Sequence, residues 1–486
     1  MSEILLGHNT TFYSQHYTFS FSFFPNWLTH AVLSILQLFL NPFLSEKIFV
    51  SAYLICMPLF FGRMINAFAA QTNYLIWLCF AFSFHFVFYY GFYNFSYSVA
   101  FAFLFVWLWQ QSKGFKLYVR ILYLLPVSLL IYTTHIFGWF LLGVLMFCLL
   151  IIELTIGLRS NSPVMLKEII RTWLPVAISG VPPVVLSLLF MHGHSAEMQY
   201  YPETPQRLFD AFYKLEMLVI WGSNTEYWLI QLIAVIIVLL LIVSLYARIK
   251  KQTSLLPHDG FLLAAVVFVL IYFMQPKMLF LAGFWVGRMS WLFWIMALAW
   301  ICCNELPQII NYTAGILAFL LFTAITLVRL PYQQATSQAL EDYLSAVEKI
   351  PAYSTVLPLS FSHLGINETG QPISNYRIQF LHAFDYCGAI KPIINYANYE
   401  ATTSWFPVQW KKDCNMFDLV GNIEGNPCSI SLQNIETNKC SDKIDYVVTW
   451  AMGNNCGLWS GLNNQFKQVY ISPSGHCRLW KNIYTE

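Results

Sequence analysis

Residues 227–247 read YWLIQLIAVIIVLLLIVSLYA, an uncharged run followed at once by Arg248, Lys250 and Lys251. A helix needs about 20 mostly apolar residues to cross the hydrocarbon layer, because its backbone polar groups find no water there. The run therefore reads as a transmembrane helix with its basic end in the cytoplasm. Similar runs before residue 330 bring the candidates to ten, at 46–62, 73–90, 92–110, 118–134, 136–156, 173–191, 227–247, 260–275, 286–303 and 312–329.

Composition agrees. Of 486 residues 58% are hydrophobic and only 10% charged, where soluble chains carry about 25% charged residues, and mean hydropathy is +0.56. Net charge is +2, and no basic stripe of the kind nucleic acid requires is present, so a nucleic-acid partner is excluded.

Orientation follows from the basic loops. Arg63, then Lys113, Lys116 and Arg120, then Arg159, Lys167 and Arg171, then Arg248, Lys250 and Lys251 occupy alternate loops, which places those loops in the cytoplasm. The loop at 192–226, with Glu197, Glu203, Asp210, Glu216 and Glu226, is then external, as is everything after Val328. An even span count puts the N-terminus outside too, yet residues 1–25 hold neither a signal peptide nor a span. A first transmembrane helix upstream of Met1 is expected, with one miscounted span as the alternative.

PNWLTHAVLSILQLFL, residues 25–40, is too short and too polar along one face to span, and reads as an amphipathic helix at the external interface anchored by Trp27. Beyond Pro331 the composition turns polar, and β-branched runs at 354–359, 391–395, 445–450 and 467–471, with a helical pattern near 376–388, predict a compact module. The expected fold class is a polytopic α-helical membrane protein of about ten transmembrane helices with a C-terminal soluble α/β or α+β domain. Its parts are an external segment 1–45, a membrane domain 46–330 and an external domain 331–486. Six of eleven cysteines, Cys387, Cys414, Cys428, Cys440, Cys456 and Cys477, lie in that domain, where an oxidising compartment allows disulfides of undetermined pairing. No paired CxxC supports zinc. Cys56, Cys79, Cys148, Cys302 and Cys303 are apolar packing residues.

Ionisable groups in a bilayer are costly, so each is a candidate for function. Arg288 in GFWVGRMSW sits at the external end of a span, close in sequence to Lys277, and the pair suits a lipid-linked phosphate; the alternative is snorkelling to ordinary headgroups. His135 in YTTHIFGWF and Asn94 in GFYNFSYS fall at external turns, as vestibule residues or simple caps. Glu46 precedes Lys47 and either pairs with it or meets substrate. His85 and Glu153 are packing or snorkelling residues. His192 and His194 lack a third metal ligand, and no Walker, GxGxxG, HExxH or nucleophile-elbow motif occurs.

The interfacial PNWLTHAVLSILQLF, the span LSEKIFVSAYLICMPLFF, the turns GFYNFSYSVAFAFL and THIFGWFLL, the Arg288 segment and the external C-terminal domain together resemble the GT-C superfamily of integral-membrane glycosyltransferases. The resemblance covers most of the chain in layout, through loose motifs. It implies transfer of a sugar from a polyprenyl-phosphate carrier to an envelope glycan or protein acceptor at the external face of the cell membrane. It also implies that Arg288 holds the carrier phosphate and that His30, Asn94 and His135 line the cavity. The chain departs from the family in its acid: no Asp precedes Asp210, and Glu3 and Glu46 are the only early carboxylates, so nothing local deprotonates an acceptor or organises a divalent metal ion unless an acidic motif lies upstream. The expectation is a transferase, incomplete or inactive without such a segment. The competing class is a non-catalytic scaffold or a lipid or polysaccharide transporter, although no internal repeat of the transporter kind is visible.

Overall fold

The computed structural model describes residues 6–19, 25–69, 74–159, 163–193, 202–275, 284–403, 406–411, 414–415, 417, 423–430, 432 and 444–484. Seven helices among these are long and apolar enough to cross a membrane: Pro42–Asn66, Leu117–Thr134, Ile136–Arg159, Met165–Gly193, Asn224–Lys250, Trp285–Cys303 and Gln308–Lys349. Packing explains their sequences. Along Asn224–Lys250 the buried residues Glu226, Ile230, Ile233, Ile237, Leu240 and Ser244 recur at helical spacing and face the bundle. Trp228, Val235, Leu239 and Ile242 on other faces are more than half exposed. Apolar faces of this extent have no partner among the described residues, and a bilayer is the solvent that suits them. The Trp285–Cys303 helix is the exception, being buried almost all round at the centre of the bundle.

Three of the ten expected spans take other forms. Residues 73–90 are a 3-10 turn at Tyr74–Trp77, a helix at Leu78–Ser83 and a separate turn of helix at Phe86–Tyr89. At the break His85 is extended and caps the second piece, its Nδ1 accepting from Phe88 N at 3.2 Å. The Phe84 carbonyl released by the break accepts from Arg329 Nη1 at 3.3 Å. Asp259–Met274 has 16 residues, about 24 Å at 1.5 Å per residue. Tyr93–Gln111 is long enough but diluted by Tyr, Asn, Ser and Trp.

The expected domain boundaries also shift. The last apolar helix continues through Pro331 to Leu344, carrying its final turns into the polar region. The first segment is not independent: after a helix at Thr10–His16, strand β1 (Tyr17–Phe19) pairs antiparallel with β4 (Val408–Trp410). Its Tyr13 and Tyr17 are buried in the core of the C-terminal domain. The interfacial helix is present at Leu28–Gln37, with Ile35, Leu38 and Phe39 exposed beside it.

The C-terminal domain is α+β. Strands β2 (Thr355–Ser360), β3 (Ile394–Asn395), β5 (Tyr446–Trp450), β6 (Phe466–Ile471) and β7 (Cys477–Asn482) form a sheet of order β3-β2-β5-β7-β6, parallel across β3-β2-β5 and antiparallel beyond. Strands β2, β3, β5 and β6 overlap the four predicted runs, β3 in only two residues, and β7 lies outside them. The helix expected over 376–388 is reduced to turns at Ala383–Tyr386 and Cys387–Ile390. Alternation along the strands divides the sheet: Val356, Val448 and Leu479 join the core that continues into the helical bundle, whereas Leu357, Val447 and Trp480 pack with Tyr13 and Tyr17. Tyr343 of the last long helix stacks on Trp450 with ring centroids 4.9 Å apart, so the domain is seated on the bundle. Cys428 and Cys456 form a disulfide, and Cys414 is also disulfide-bonded. Cys387 and Cys477 are buried free thiols, so the oxidised set is smaller than six; Cys440 lies outside the described residues.

Candidate functional site

A cavity of about 290 Å³ opens where the interfacial helix, three turns of the bundle and the C-terminal domain meet. The interfacial segment supplies Asn26, Thr29 and His30. It is fixed on the bundle by Asn26 N and Trp27 N, which donate to the carbonyls of Thr134 and Thr133. Asn94 completes the attachment: its Oδ1 accepts from both N and Oγ1 of Thr29 at 2.8 Å, and its Nδ2 donates to Asn26 O at 2.9 Å. Asn94 is thus a cap for the interfacial helix as well as a cavity residue. The turn before it passes through Gly91 at φ +82°, a conformation that favours glycine.

His135 is held at the junction of two helices. Its Nδ1 accepts from Phe137 N at 3.0 Å, and a neutral imidazole accepting there carries its proton on Nε2, which makes that nitrogen a donor. His30 lines the same cavity, and its buried Nε2 has no hydrogen-bond partner among the described residues. Desolvation pushes this imidazole down to about 4, so it is neutral at pH 7.

Arg288 enters from the first turns of the central Trp285–Cys303 helix and is only 1% exposed. Its guanidinium lies over the rings of Phe95, Phe92 and Phe137 at 4.5, 5.2 and 5.6 Å from their centroids. Nε and Nη1 have no hydrogen-bond partner among the described residues. Aromatic faces offset part of the cost of burying this cation, but they leave its donors unused. A second arginine of the bundle core, buried like Arg288 and Arg120, is different. Arg329 gives Nε to Glu226 Oε1 at 2.8 Å and donates to the carbonyls of Leu218 and Phe84, while Glu226 also accepts from the backbone N–H groups of Ile220, Trp221 and Gly222. That network is complete and structural; the Arg288 site is not.

Of the residues singled out in the sequence, Arg288, His135, Asn94 and His30 share this one cavity. Glu46 does not line it: its Oε1 accepts from the Tyr93 and Tyr386 hydroxyls, each at 3.1 Å, tying the bundle to the C-terminal domain. Lys277 and His194 lie outside the described residues. His85 and Glu153 are packed, the first against Trp291 and the second holding Lys113 and Trp173.

The residue missed in the sequence is Glu400. It arrives from the C-terminal domain on the turn Glu400–Thr402 and lines the same cavity. Trp410 Nε1 fixes the turn by donating to Asn398 O at 3.0 Å, and His382 stacks on Tyr399 at 4.5 Å. Burial pushes the Glu400 carboxyl up to about 7. One carboxylate sharing a cavity with a guanidinium and two imidazoles, one of which accepts a backbone hydrogen bond through Nδ1, is a poor donor set for a divalent cation. No group of three or more metal-ligating side chains occurs among the described residues.

No protein-family model, curated protein or solved structure matches this chain.

Proposed function

We propose that the cavity receives the phosphate of a polyprenyl-phosphate-linked sugar and that the protein transfers this sugar to an envelope acceptor at the external membrane face, as in the GT-C superfamily. The observation that carries the reading is Arg288, a buried cation with unused donors, lining a cavity beside the neutral His30, His135 and the Asn94-bound interfacial helix. Phosphate oxygens would satisfy those donors by charge-assisted bonds. As the anomeric bond to phosphate breaks, negative charge grows on the phosphate, and a fixed guanidinium in a water-poor site stabilises it most at that point.

Topology supports the same reading. The β1–β4 pairing keeps the start of the chain and the C-terminal domain on one side, which requires an even number of crossings between them. Seven long helices are an odd number, and the broken Tyr74–Tyr89 segment, Tyr93–Gln111 and Asp259–Met274 bring the total to ten. With the basic loops in the cytoplasm, the cavity then opens externally at the level of the headgroups, where a membrane-anchored carrier delivers its phosphate.

The test is binding of a short-chain polyprenyl phosphate to the full chain in detergent, read as thermal stabilisation. A ligand at 100 times Kd stabilises by about 2.7 kcal/mol, and Arg288→Ala should abolish the shift. Equal stabilisation of Arg288→Ala and wild type would remove Arg288, and the transferase reading with it.

A further inference from the structure

We propose that Glu400, carried into the cavity by the C-terminal domain, is the general base that accepts the acceptor's proton, in place of the carboxylate missing from the early external loops. This rests on the sugar-transfer reading above. Glu400 and Arg288 line one cavity but form no ion pair with each other or with any other described residue. Three other carboxylates are engaged in hydrogen bonds or ion pairs. Glu46 holds two tyrosines, Glu216 is paired with Arg207, and Asp385 accepts from Asn395 Nδ2 at 2.5 Å. Glu400 accepts no such bond from a described side chain. Two opposite charges left apart in a small cavity, each with free hydrogen-bonding capacity, suit a pair of reactants. One brings a phosphate to the guanidinium, the other a hydroxyl to the carboxylate.

The step balances without a further reagent. The acceptor oxygen forms a bond to the anomeric carbon while Glu400 takes its proton. The anomeric carbon–oxygen bond to phosphate breaks, and its electron pair leaves with the carrier phosphate, which Arg288 holds. Glu400 then returns the proton to water. Because burial raises the carboxyl to about 7, its proton affinity is close to that best suited to general-base work at neutral pH. The arrangement also gives the C-terminal domain a chemical role, since it supplies the turn that carries Glu400.

The experiment uses the full chain in membrane vesicles with a short-chain polyprenyl-phosphate hexose labelled in the sugar, and follows label leaving the carrier for water and vesicle hydroxyls. Glu400→Gln should slow release about 10²–10⁴-fold, the usual contribution of a positioned base, while binding polyprenyl phosphate and melting like wild type. Glu400→Asp should recover part of the rate. The wild-type rate should rise through pH about 7 and level off above it, because the base works only when deprotonated, and this rise should vanish in Glu400→Gln. Equal release by Glu400→Gln and wild type overturns the base and leaves the carrier site standing. Carrier binding through Arg288 with no label released by wild type overturns the base as well. A wild type that binds no carrier, or binds it equally after Arg288→Ala, overturns the carrier reading and the base together.

Discussion

Tyr17 lies opposite Trp410 in an antiparallel ladder, their ring centroids 4.3 Å apart, although 392 intervening positions include every apolar helix. A strand pair cannot form through a bilayer. Reporter tags fused before residue 6 and after residue 484 should therefore be accessible to a protease or an impermeant thiol reagent from the same side of sealed vesicles. Labelling from opposite faces would be incompatible with the pairing.

The Arg329–Glu226 pair joins the last long helix to the start of Asn224–Lys250, with side-chain exposures of 5% and 1%. Removing one member of a buried, hydrogen-bonded pair costs about 3–5 kcal/mol, whereas replacing both with apolar residues is often close to neutral. Arg329→Met should lower the apparent melting temperature in detergent sharply, and Arg329→Met with Glu226→Leu should recover part of the loss, reduced by the three backbone donors that Glu226 leaves behind.

Asn94 satisfies Thr29 N and Oγ1 with one oxygen. Asn94→Ala removes an N-cap-like acceptor, worth about 1 kcal/mol. The interfacial helix should then become a site of faster proteolysis near residue 26. Carrier binding should weaken only through that loosening, so a variant that retains proteolytic resistance but loses binding would reassign Asn94 to direct contact.

Gly138 sets the spacing of the helices that carry Asn94 and His135. A Cβ there would lie 2.1 Å from Ser98 Oγ and 2.9 Å from the Ser98 carbonyl carbon. Gly138→Ala should cost about 1–3 kcal/mol, the range for overpacking, and reduce carrier affinity by moving His135 away from Asn94. Ser98→Gly in the same chain removes the side-chain clash but leaves the 2.9 Å approach to the Ser98 carbonyl carbon, so it should recover only part of the melting temperature and affinity; no recovery would argue that the backbone contact dominates.

His30 came only from the family resemblance, whereas periodicity, run length and the rarity of polar groups by themselves marked most of the apolar helices, the amphipathic helix, the strand-bearing C-terminal region and the cavity residues Arg288, His135 and Asn94. These are signals written locally: uncharged runs of about 20 residues, alternation within strands, and rare polar groups at the ends of spans. The break at Phe84 and His85 was not legible, because it is stabilised by Arg329, 245 positions away in one hydrogen bond. Glu400 was not legible either, since nothing in NYANYEATTSW distinguishes a cavity carboxylate from a surface one. Only tertiary structure decided those features, through the pairing of β1 with β4 and the seating of Tyr343 on Trp450. Long-range packing selects which distant polar group meets which, and a sequence pattern records only the face on which a group lies.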